Sequence, residues 1–129
     1  MSTDLKVLAW TAGLTALMWV PYILARIMTS GLIPTLTYMA DNDPLPPWAA
    51  RAKKAHHNAI ENLAPFAAVV LVAQAAGVAN GTTATWSVIY LLARIVHFGV
   101  AIAGVPYART IAFAVGWLAI MIIFLHIIA

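Results

Sequence analysis

AHHNAIENLAPFAAVVLVAQAAG, residues 55–77, opens with two histidines, two asparagines, a glutamate and a proline, and then runs on without a charge. A soluble amphipathic helix would keep a polar stripe along its whole length, and residues 64–77 have almost none. The rest of the chain is of the same kind. Its 129 residues are 64% hydrophobic and 9% charged, with a mean hydropathy of +0.92. Too little polar surface is left to cover a soluble globule, whereas a bilayer suits this balance. The period-2 alternation of a membrane barrel is absent, so the spans are expected to be helices.

Working outward, apolar runs at about 5–28, 52–76, 83–103 and 107–128 each have the roughly 20 residues needed to cross a hydrocarbon core. Between them, GLIPTLTYMADNDPLPPW (31–48) concentrates proline, aspartate and asparagine, GVANGTT (77–83) is a Gly/Asn turn, and the link around AGVPY is shorter still. Short links favour antiparallel neighbours. The expected fold is all-α: an integral membrane four-helix bundle running up-down-up-down, as a single domain over residues 1–129. No basic n-region and small-residue cleavage site precede the first span, so it is expected to be retained. The chain has no cysteine, which removes disulfides and cysteine nucleophiles from consideration.

Lysine and arginine set the orientation. Arg26, Arg51, Lys53 and Lys54 flank the first connection and Arg109 opens the fourth span on the same side, while the opposite side has only Lys6 beside Asp4. Positive loops stay cytoplasmic. The first and third connections are therefore expected in the cytoplasm, and both termini on the non-cytoplasmic side. This bias accounts for the formal net charge of +3, and no basic stripe points to nucleic acid.

On a helix, positions 51, 54, 58, 61 and 65 recur at three- and four-residue steps and place Arg51, Lys54, Asn58, Glu61 and Pro65 on one stripe. Glu61 lies roughly 15 Å from Arg51 along the span. An ionised carboxylate there is costly against lipid, so it is expected to face the bundle interior, another subunit or a water-filled cavity. In the third span Arg94 and His97 share a face. Arginine keeps its charge, so Arg94 needs a partner as much as Glu61 does, and pairing them satisfies both. Two readings follow: a structural interhelical ion pair, or a polar pocket open to the cytoplasm, lined by Arg26, Arg51, Asn58, Glu61, Arg94, His97 and Arg109 and suited to an anionic ligand. No metal site is expected, since one built from His57, Glu61 and His97 needs ligands from two helices in an unproven register. The spacings Gly99–Ala103 and Ala112–Gly116 suit close helix packing or subunit contact.

RAKKAHHNAIENLAPF (51–66) resembles the second-helix signature of the MAPEG family, the membrane-associated proteins in eicosanoid and glutathione metabolism. The shared pattern is a basic run, Asn, two residues, Glu, three residues and Pro-Phe, in register at Asn58, Glu61, Pro65 and Phe66. ARIVH (93–97) resembles the family's Arg-x-x-His segment, and RTIAF (109–113) the start of its fourth helix. The resemblance implies a homotrimer that binds glutathione, its co-substrate, between subunits near the cytoplasmic face. It implies that Asn58 and Glu61 hold the peptide backbone and amino group, that Arg51 and Lys54 lie near the carboxylates, that Arg26 contributes from the first helix, and that Arg94 and His97 brace the pocket from the third. Arg109 falls on the arginine beside the thiol and Thr110 on a neighbouring hydroxyl position, the implied catalytic pair.

Glutathione carries two carboxylates and one ammonium, so arginines for the former and Glu61 for the latter match its chemistry. A cation beside the thiol favours the nucleophilic thiolate. Where several eicosanoid-processing members have tyrosines, this chain has Ala101 and Phe113. The function implied is a membrane-embedded glutathione-dependent transferase or peroxidase acting on a small lipophilic electrophile that enters from the membrane lipids. The alternative is a non-catalytic membrane protein that retains the fold and the polar pocket.

Overall fold

A computed structural model describes residues 1–129. It is all-helical: α1 (Thr3–Leu17), α2 (Trp19–Ser30), α3 (Leu32–Leu36), α4 (Pro47–Ala75), α5 (Gly81–Ala103) and α6 (Ala108–Ile128), with a 3₁₀ turn at Tyr38–Ala40. Four segments are long and apolar enough to cross a membrane: Thr3–Ser30, which joins α1 and α2, then α4, α5 and α6. The chain is an integral, multi-pass membrane protein.

Local chemistry sets the helix ends. Ser2 Oγ accepts the Leu5 N–H, and Asn80 and Thr83 form a reciprocal capping box at the start of α5, satisfying N–H groups that a helix start leaves free. The second span begins at Pro47 rather than near residue 52, because proline suits a first helical turn where its missing N–H is not needed. Helix α4 then continues through Pro65. The first span is interrupted at Met18; Pro21 has no N–H to offer the carbonyl of Leu17, four residues earlier. Sequence punctuation alone predicts a plain connection over 31–48. Instead Gly31, at φ 90°, turns the chain into the short α3.

Contacts at the two ends fix the up-down-up-down order. At one end Gln74 Nε2 donates to Ser2 Oγ at 2.9 Å, and His126 Nε2 lies 2.9 Å from the Val78 carbonyl oxygen. At the other, Arg51 reaches the carbonyl of Ile102 and Arg26 that of Asp43. Helix α5 packs against α1, α4 and α6 and buries Thr83, Ser87, Tyr90, Arg94, His97 and Ala101 on one face. Phe66 of α4 stacks on the Tyr90 ring, with centroids 3.8 Å apart. A Cβ on Gly116 would meet the Tyr90 ring and the Arg94 stem at 3.6–3.7 Å. Ala112 and Gly116 are thus used for packing inside the chain, the close helix packing that their spacing suits.

Asn42 and Asn80 are exposed, at opposite ends of the bundle. Single cysteines at these positions, in a chain that has none of its own, should label from opposite sides of the membrane, Asn42 from the cytoplasm. Labelling of both from one side would refute the four-span topology.

Candidate functional site

The N-terminal half of α4, the C-terminal half of α5 and the first turns of α6 meet around a cleft of about 360 Å³, at the end of the bundle that carries the 104–107 link. Helix α4 presents Arg51, Lys54, Ala55 and Asn58 to it; α5 contributes His97 and Ala101, and α6 contributes Arg109, Thr110 and Phe113. Its polar wall has three basic side chains and no carboxylate, which favours an anionic ligand. Ala101 and Phe113 add apolar lining that carries no hydroxyl. Both the volume and the mixed lining suit a small-molecule site.

Behind this wall lies Arg94, only 4% exposed. Its Nη2 donates to Asn58 Oδ1 at 2.6 Å and lies 3.4 Å from His97 Nδ1, while its buried Nε has no partner. The backbone carbonyl of Asn58 separately accepts from Asn62 Nδ2 at 2.8 Å. Arg94 therefore braces Asn58 and His97, two residues of the cleft wall, without itself lining the cleft.

The expected ion pair between Glu61 and Arg94 does not form, because Asn58 takes its place and Glu61 is exposed. Depth along the helices explains the exchange. Asn58 is eleven residues into α4 and Arg94 nine from the end of the antiparallel α5, which puts them at roughly 16 and 14 Å from the same face. Glu61 sits one turn deeper and points away from the cleft. Arg26 also lies apart from the cleft: its guanidinium donates to the Asp43 carbonyl, and it lines a separate hollow with Tyr22, Lys53 and Asp41. The single pocket of seven residues read from the sequence is thus divided within one chain. Arg51, Asn58, His97 and Arg109 come together with Lys54 and Thr110, Arg94 stands behind them, and Arg26 and Glu61 lie elsewhere.

Two contacts escaped the sequence reading. Tyr22 OH lies 2.8 Å from His56 Nδ1 and ties α2 to α4; a tyrosine and a histidine 34 residues apart give no spacing signal. Arg51, besides facing the cleft, donates from Nε and Nη2 to the Ile102 carbonyl at 3.0 and 2.8 Å. Tyr107, which precedes α6, is 82% exposed and does not line the cleft. Its backbone is unusual. At φ 65° and ψ −44°, with the Ala108 N–H on the Pro106 carbonyl at 2.7 Å, it forms a γ-turn of the strained hand, at a cost of about 1–3 kcal/mol.

No curated protein and no solved structure matches the chain. A family model described as MAPEG family matches residues 7–129. That match takes in the last three spans, all but the first four residues of the first, and every residue of the cleft, and with the four-helix architecture it places the chain in the MAPEG family.

Proposed function

We propose that the protein is a glutathione-dependent transferase or peroxidase for lipophilic electrophiles, acting as a homotrimer with glutathione held near the cytoplasmic face between subunits. The observation that carries this reading is the composition of the cleft: Arg51, Lys54 and Arg109 with no carboxylate, beside Asn58 and Thr110. Two carboxylates of glutathione answer those cations, and Arg109 is the group proposed to hold the sulfur as thiolate. In a transfer, the thiolate forms a C–S bond as the electrophile's leaving group departs with its electron pair. In a peroxide reduction, two glutathione thiols become a disulfide and the hydroperoxide becomes an alcohol and water.

Glu61 and Arg26 also support a shared site. Both lie off the cleft of their own chain, and an exposed carboxylate at membrane depth is costly unless something polar covers it. A neighbouring copy would cover Glu61 and bring these two groups toward a cleft. A second reading, a non-catalytic protein that keeps the pocket, is favoured by Ala101 and Phe113, which offer the thiol no hydroxyl. Detergent-solubilised protein should bind glutathione, consume it with an aryl halide or a lipid hydroperoxide, and crosslink no further than a trimer. Binding without turnover would select the second reading, and a monomer that binds fully would overturn the shared site.

A further inference from the structure

Arg51 is placed where a ligand clamp would be, yet two of its donors are already used. Nε and Nη2 converge on one acceptor, the Ile102 carbonyl, at 3.0 and 2.8 Å. This is one of the carbonyls that the end of α5 leaves without an intrahelical partner. Two residues on, Gly104 takes the left-handed conformation at φ 73°. A Cβ on Gly104 would come within 3.1 Å of Arg51 Cζ and Nε, tighter than ordinary van der Waals contact, so the guanidinium lies against the bare glycine. Three residues on, the chain enters α6 through the strained turn at Tyr107. Arg109 and Thr110 follow at once and line the cleft. The link from α5 to α6 is thus held from outside by one α4 side chain, and the next two side chains after the strained turn are those proposed to act on the thiol.

We propose that Arg51 is a positioning residue: it pins the α5–α6 link through the Ile102 carbonyl and the face of Gly104, and so fixes where Arg109 and Thr110 stand. Strain at Tyr107 makes such a pin necessary, since an unsupported link would relax it and shift the start of α6. Lysine cannot replace this arginine, for an ammonium lacks the planar fork that lies flat on Gly104 while donating twice to one oxygen.

The kinetic part of the test rests on the glutathione-dependent activity proposed above, and the exchange part does not. Arg51→Lys keeps the charge on the cleft and removes the fork; Gly104→Ala keeps Arg51 and disturbs its seat. Both should lower kcat by about 10- to 100-fold, the scale of a small misplacement of a reacting group, with KM for glutathione changed less than about threefold. The double variant should be no worse than the worse single one, since both break the same contact. Lys54→Gln, which removes a cleft cation away from the link, should instead raise KM. Without any ligand, hydrogen exchange at the Val105, Ala108 and Ile111 amides should be faster in both Arg51→Lys and Gly104→Ala than in the wild type. If the wild type turns nothing over, faster exchange still upholds the pin while the activity reading fails. Unchanged exchange, or a raised KM in Arg51→Lys with Gly104→Ala behaving as wild type, would overturn the proposal and leave Arg51 a ligand clamp.

Discussion

Asn58→Leu is expected to destabilise the bundle by about 3 kcal/mol, because it strands a buried guanidinium. Arg94 is nearly inaccessible, cannot discharge itself by losing a proton, and has its short contact at Asn58 Oδ1, 2.6 Å away. A leucine has the same branching, fills the space and offers no acceptor. His97 Nδ1, at 3.4 Å, is a poor substitute. Asn58→Asp should behave oppositely, keeping the acceptor and adding the charge Arg94 lacks, so its melting temperature in detergent should equal or exceed that of the wild type. Asn58→Leu combined with Arg94→Met should recover part of the loss, since the group left unpaired has also gone. A leucine variant melting with the wild type would show that Arg94 does not depend on Asn58.

The choice of Asn58 over Glu61 marks where the sequence stops being legible. Four spans and the places of the links between them follow from hydropathy and turn residues, which depend on neighbours in the chain. The stripe of Arg51, Lys54, Asn58 and Glu61 is equally plain, but a stripe has width. Residues three apart differ by roughly 60° around a helix, enough for Asn58 to face α5 while Glu61 faces out. The rotation of α4 against α5 decides which of them meets Arg94, and it is set by packing such as Phe66 on Tyr90. Counted from the span ends that hydropathy suggests, near residues 52 and 103, depth favours Glu61 just as the pairing of opposite charges does; the start of α4 at Pro47 is what moves the count to Asn58. Arg51 is a second case. Its charge and its place on the stripe are readable, whereas its use as a cap for a helix on the far side of a turn depends on Gly104 being left-handed and close by.

The exposure of Glu61 turns it into a sharp test of the shared site. With no partner inside its own chain, Glu61→Gln should leave the melting behaviour of the bundle close to that of the wild type, unlike Asn58→Leu. If the carboxylate receives the ammonium of glutathione, the same substitution should weaken glutathione binding by about 1.5–3 kcal/mol, the scale of a hydrogen bond to a charged group, which is roughly 10- to 150-fold in Kd. Calorimetric titration of both proteins with glutathione and with an analogue lacking the amino group closes the cycle. The analogue should bind the wild type weakly and lose little more in the variant, as expected for two groups that interact directly. Equal losses for both ligands would mean that Glu61 does not meet the ammonium. A large drop in melting temperature with binding intact would mean that its partner is a neighbouring subunit rather than glutathione.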